Sequence, residues 1–189
     1  MNDFGSSDIP TAVYKPLVVE LMEVSGLAPS LIAMRLPRGS VNDTDFNASP
    51  LVIGDGDLSL ARRLVKAGDE HGKFARGIDV YIRMTAQVGW LLHWVTYRIG
   101  VENLSSSSVM NELKRMHRRD PIALANDKQE RLPSQVYTRI EKVSFQTLAR
   151  IYRQRRHHAH NDWRIFCDFI ETVPYFDEIY QIGNSNKEL

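Results

Sequence analysis

Four consecutive serines, Ser105 to Ser108, follow an aromatic segment that ends at Arg98 and precede the pattern VMNEL. One serine would serve there as a helix N-cap. Four hydroxyls beside the unpaired N–H groups of a helix start could instead cradle a phosphate, because the helix dipole is positive at that end, and Arg98 would add a fixed charge. A third reading is a flexible linker, since serine runs often are.

The second constellation is RIYRQRRHHAHNDW, with Arg150, Arg153, Arg155, Arg156, His157, His158 and His160. Cations near a helix C-terminus complement its dipole, which accounts for most of them. Arg155 is different. It falls on the stripe of Leu148, Ile151 and Tyr152, so the helix aims one guanidinium inward, where it needs a bound anion or an internal carboxylate. His158, His160 and Asp162 offer metal-ligand chemistry, but their i, i+2 spacing splays the side chains, and with no second cluster no metal site is expected. His93 lies in an apolar segment one turn before Arg98, either a satisfied core histidine or a pocket group. No Walker loop, dinucleotide glycine fingerprint or Ser-His-Asp order is present.

These residues need a scaffold, and the periodicities supply one. A strand is predicted from about Leu17 to Val24 and a short helix over GLAPSLIAMRL with Pro29 in its first turn. PRGSVNDTDFNASP reads as a surface loop. DLSLARRLVKAG reads as a helix capped by Asp57, with a Leu58, Ala61, Leu64, Val65 stripe and Gly68 past its end. GIDVYIRM alternates strictly, placing Ile78, Val80, Ile82 and Met84 on one face of a strand. Ala86 to Tyr97 reads as an apolar helix, and VMNELKRMHRR, beyond the serines, as an amphipathic one. NDKQERLPSQ is a polar connector. Ser144 caps the helix that carries Arg155, and a last helix starts near Asn161 or Asp162 with Trp163, Phe166, Phe169 and Ile170. The fold class is α+β: one helix-rich domain over residues 1–189 with a small, mostly antiparallel sheet and a loose tail near 183–189.

Composition narrows the partners. Lys and Arg total 24 against 23 acidic residues, so any basic site is local and a dedicated nucleic-acid binder is disfavoured. The single cysteine, Cys167, excludes an intrachain disulfide and suits a reducing compartment. No apolar run approaches the roughly 20 residues that span a bilayer, and MNDFGSSDIP lacks a signal-peptide pattern, so a cytoplasmic protein is expected.

Together the two constellations resemble one family, the flavin-dependent thymidylate synthases. AQVGWLLHWVTYR, from Ala86 to Arg98, is similar to the family's APxxxxxQWxRHR, and IGVENLSSSSV to the loop that follows it, with Asn103 and Ser106 on the family's asparagine and serine. Leu132, Pro133, Tyr137, Thr138 and Arg139 resemble LPxxxYTR. TLARIYRQR resembles the helix whose arginine contacts the pyrimidine, placing Arg155 there, and LVKAGDEHGKFAR resembles the GHxSxxEH segment. The departures fall on ligand contacts: Thr96 and Tyr97 replace the first two residues of Arg-His-Arg, Leu104 the loop glutamate, Ser108 the nucleotide-binding arginine, His93 a glutamine, and Ala75 and Arg76 the Glu-His pair. Each lost arginine removes a charge-assisted contact of about 1.5 to 3 kcal/mol.

The resemblance implies a homotetramer with FAD between subunits and reductive methylation at the pyrimidine C5 of dUMP or a related nucleotide, using methylene-tetrahydrofolate and NADPH. It implies Arg155, Ser106 and His93 as catalytic residues, with Ser106, Ser108 and Arg155 on the nucleotide and Arg98, Asn103 and Arg76 toward the flavin. A non-catalytic nucleotide-binding or regulatory protein on the same scaffold is the alternative. A nucleic-acid module built on KRMHRR and RQRRHH is the third reading.

Overall fold

The computed structural model describes residues 13–49, 51–107, 122 and 135–182. Six strands are described: β1 Val18–Ser25, β2 Phe46–Ala48, β3 Leu51–Ile53, β4 Asp79–Gln87, β5 Val101–Ser106 and β6 Val136–Ser144. The helices are α1 Leu27–Arg35, α2 Asp55–Lys66, α3 Val88–Trp94, α4 Phe145–Arg155, α5 Asn161–Glu171 and α6 Phe176–Tyr180. Four strands form an antiparallel sheet in the order β1-β4-β6-β5, and β2 and β3 form a separate hairpin. This is the expected α+β arrangement.

The alternation of β4 decides which sheet face is covered. Ile78, Val80, Ile82 and Met84 are fully buried, together with Val143 of β6, Phe145, Leu148 and Ile151 of α4, and Trp163, Phe166 and Ile170 of α5. On the other side of the pleat Arg83 of β4 pairs with Glu20 of β1 at the surface. An aromatic seam then fastens α3 to α5: the Trp90 and Trp163 rings lie 4.9 Å apart and those of Trp94 and Phe166 5.0 Å apart. Trp90 and Trp94 are one helical turn apart, as are Trp163 and Phe166, so each helix presents two rings on one face and they interlock. That seam sets His93, Tyr97 and Arg98 beside the end of α4 and the turn into α5.

Several expectations need correction. Asp57 does not cap α2, which begins two residues earlier after Gly54. Instead it is buried within the helix, where it accepts from Arg35 Nε at 2.6 Å and from the Asp45 amide at 2.8 Å. A long-range partner outweighed the local capping preference. The loop from Pro37 to Pro50 contains two short 3-10 turns, at Leu36–Arg38 and Val41–Asp43, and the strand β2. Ala86 and Gln87 finish β4, so the helix expected from Ala86 covers only Val88–Trp94. The first serines lie in a strand rather than at a helix start: Ser105 and Ser106 belong to β5, paired with Ile140 and Arg139 of β6, and the Ser107 amide donates to the Thr138 carbonyl at 2.7 Å. Ser108, the VMNEL helix, the NDKQERLP part of the connector and the tail lie outside the described residues. Ser144 does cap α4, its hydroxyl accepting from the Thr147 amide, and α5 starts where expected.

Candidate nucleotide site at the end of the sheet

Residues directly opposite each other in an antiparallel pair point to the same side of the sheet. Val101 and Asn103 lie opposite Val143 and Glu141, on the core side. Simple alternation would put Ser105 there next and turn Ser106 away. A β-bulge between Asn103 and Ser105 shifts the register, so Ser106 lies opposite Arg139 and returns to the face of Asn103. The bulge thereby lines up Asn103, Ser106, Arg139 and Glu141 at one end of the sheet. Ser106 Oγ donates to Asn103 Oδ1 at 3.4 Å, and Asn103 Nδ2 donates to Glu141 Oε1 at 2.9 Å.

The segment after α3 closes this corner. A hollow of about 250 Å³ is lined by Trp94, Val95, Tyr97, Arg98, Val101, Asn103, Arg139 and Glu141. Arg98 is exposed at its rim with no partner among the described residues. Arg139 lies 3.7 Å from the buried Glu141 carboxylate, and its Nε is buried with no hydrogen-bond acceptor. A buried guanidinium N–H left unpaired is costly, so it is a group that an incoming acceptor would satisfy.

Arg155 stands beyond the Tyr97 wall. It is half-buried, its Nε donates to the Tyr97 hydroxyl at 2.7 Å, and its guanidinium carbon sits 4.7 Å from the centre of the Trp163 ring. The inward stripe did deliver it to the interior margin. Its protein acceptor is a phenol rather than the internal carboxylate that was the alternative to an anion. Within the protomer no hydrogen bond or ion pair joins Arg155 to Ser106; Tyr97, shared by both neighbourhoods, is the link.

The remaining predicted residues scatter. His93 is exposed, not a core histidine, with its ring 6.2 Å from that of His160. Arg76 donates from Nε to Gln146 Oε1 at 2.7 Å and lines a different hollow of about 450 Å³ with Gly100, Lys142 and Thr147, so it is not brought to Arg98. A larger hollow, about 890 Å³, lies between α1 and the turn Gly72–Gly77 and holds none of the predicted residues. Sequence reasoning missed Glu141 and the supporting roles of Tyr97 and Trp163. The signal for Glu141 was its alternation with Val143 in YTRIEKVS, which places an acid on the covered face.

Comparison with known proteins decides the fold. The chain superposes on the flavin-dependent thymidylate synthase ThyX of Helicobacter pylori, crystallised with FAD and dUMP, with a TM-score of 0.68 and 13% identity, covering 87% of this chain and 97% of that one. It has the fold of the flavin-dependent thymidylate synthases. It also superposes on PolB, a UMP/dUMP methylase from Streptomyces cacaoi bound with 5-Br dUMP, with a TM-score of 0.63 and 12% identity over 89% of this chain and 93% of that one. No protein-family model and no curated protein sequence matches the chain. At such identities the ThyX-like likeness is one of architecture. Among the described residues no helix is long and apolar enough to cross a membrane.

Proposed function

We propose that the protein binds a pyrimidine nucleotide on its ThyX-like scaffold and uses a bound flavin for reductive methylation at the pyrimidine C5 of dUMP or a related nucleotide. The observation that carries this reading is the bulged end of β5, which turns Asn103 and Ser106 toward Arg139 and the unpartnered Arg98. Asn103 and two guanidinia line one hollow, with Ser106 hydrogen-bonded to Asn103 beside it, and such groups suit a ligand with phosphate and carbonyl oxygens. Ser106 and Ser108 receive the phosphate, Arg98 and Asn103 contact the flavin or the nucleotide, and Arg155 with His93 approaches the base from behind Tyr97.

The residues fit FAD in donor chemistry: the orphaned Arg139 Nε and the exposed Arg98 both await acceptors. When bound, the flavin would carry the hydride chemistry, with methylene-tetrahydrofolate as carbon donor and NADPH as reductant, while the chain orients the rings and stabilises charge. Arg76, held by Gln146, extends the basic lining on the far side of Gly100.

One observation favours a second reading, a non-catalytic nucleotide-binding or regulatory protein. Tyr97 stands where the resemblance expects a histidine, and its hydroxyl occupies the Nε of Arg155. Two measurements separate the readings. A purified protein that is yellow, and bleached by NADPH, supports the flavoenzyme; a colourless protein that takes up no added FAD removes it. Calorimetry with dUMP tests nucleotide binding under either reading: Ser106→Ala and Arg98→Ala are each expected to weaken it by roughly tenfold. Heats that match wild type would overturn the site.

A further inference from the structure

Four arginines stand on or at the end of α4, and three are neutralised by carboxylates. Arg150 and Arg153 reach Asp69, at 3.4 and 3.8 Å, and Arg156 pairs with Asp168 and Glu171. Arg155 is the exception. Apart from Nε on Tyr97, its guanidinium donors have no partner among the described residues, and the Trp163 ring shields one of its faces from water. Its surroundings add imidazoles. His158 and His160 occupy the turn from α4 into α5, and His93 reaches toward them from α3.

The histidine protons are fixed by the backbone. The His160 amide donates to His158 Nδ1 at 3.0 Å, and the Asp162 amide donates to His160 Nδ1 at 3.3 Å. Each Nδ1 is therefore an acceptor, and each neutral ring carries its proton on Nε2, leaving a donor on the side away from the backbone. The nearby carboxylates already have donors, although Asp162 Oδ2 is buried without one. Asp162 takes the Tyr14 hydroxyl and the Leu17 amide, and Glu171 takes the Tyr152 hydroxyl besides Arg156. From α3, α4, the turn and α5, the groups that face this spot are thus three imidazoles, one guanidinium and the Tyr97 phenol, whose own proton goes to Gln154.

We propose that His93, Arg155, His158 and His160 form an oxyanion subsite that takes a phosphate-type group, inorganic phosphate or the phosphate of a nucleotide. A tetrahedral anion can accept from several N–H donors at once. The His158 imidazole is held below its ordinary range, first by desolvation and then by the positive charge of Arg155, His160 and His93. A bound anion offsets that charge contribution. The subsite shares Arg155 and His93 with the nucleotide reading but stands without it.

The test is titration of the full chain with inorganic phosphate and, separately, with dUMP at about pH 6 and pH 8, followed by imidazole NMR resonances. Saturable shifts of the His158 and His160 resonances are expected with at least one of the two ligands. His93→Gln, an exposed change that leaves the α5 cap intact, and Arg155→Lys, which keeps the charge but loses the planar fork, should each weaken binding by about fivefold or more. Saturation by phosphate alone identifies a free-anion site, and saturation by dUMP alone puts the nucleotide's single phosphate here in place of Ser106 and Ser108; both support the subsite. Imidazole resonances unmoved by either ligand, or wild-type affinity in both variants, would overturn it. A chain that binds phosphate here while Ser106→Ala leaves dUMP heats unchanged would retain the subsite and lose the nucleotide reading.

Discussion

At the scale of single residues, the buried acids separate structural from ligand-directed charge. Asp57 is fully buried, and its partner Arg35 is nearly so. With the Asp45 amide on its second oxygen, this carboxylate ties α1, the loop before β3 and α2 together. Removing one member of such a pair leaves an uncompensated charge, so Asp57→Ala is expected to cost about 3 to 5 kcal/mol, read as a fall in the urea midpoint. An unchanged midpoint would mean the pair is not formed in solution. Glu141 is as deeply buried, yet its neighbours Asn103 and Arg139 line an open hollow, so its effect should fall on ligand affinity as well as on stability. Cys167 supplies a chemical check on the core. Burial pushes its thiol up to about 12, so at pH 8 the native chain should react with a disulfide reagent orders of magnitude more slowly than the urea-unfolded chain. Equal rates would show that α5 does not pack as described.

At the scale of elements, Gly100 holds the junction of α3, β5 and α4. Its φ is +72°, and a Cβ there would lie 2.3 Å from Thr147 Oγ1 and 2.7 Å from Ser144 Oγ. Gly100→Ala should therefore cost about 2 kcal/mol or more, and since Gly100 precedes β5 it should also disturb Asn103, visible as lost nucleotide heat in protein that still folds. A stable variant with unaltered binding would sever β5 from the site. What the sequence disclosed about these elements follows from how local the determinants are. The β4 alternation and the Ser144 cap depend on neighbours within a few residues, and both were legible. The stripe likewise revealed Arg155 as the inward arginine. The serine run was not, because β5 is held by backbone pairing with β6 some 35 residues away in sequence and serine side chains carry no periodicity to announce it. The bulge that orients Ser106 has the same origin. Ala86 and Gln87 could not be divided from α3 because a continuous apolar run suits strand and helix alike.

At the scale of the whole molecule, the hollow that Arg98 and Asn103 share is small beside a flavin. The hollow beside Arg98 and Asn103 holds about 250 Å³, and Arg76 lines a separate one. Sites for compounds of drug size usually provide about 300 to 1,000 Å³, and a dinucleotide is larger still. The segments around that hollow carry exposed apolar residues: Leu92 on α3 and Val95 just past its end are 61% and 44% exposed, Ile99 is 77% exposed and Leu104 on β5 is 52% exposed. Apolar side chains grouped beside a polar hollow suit burial against a second subunit, which would complete the walls. On the proposed reading, ultracentrifugation should give a tetramer whose flavin content falls with dissociation. Leu92→Glu and Ile99→Glu together, which place charge in that surface without touching Arg98, Asn103 or Ser106, should shift the chain toward smaller species and reduce bound FAD by roughly tenfold. Dissociated chains that keep their full flavin content would put the cofactor inside one protomer, and the sheet corner would then have to hold it alone.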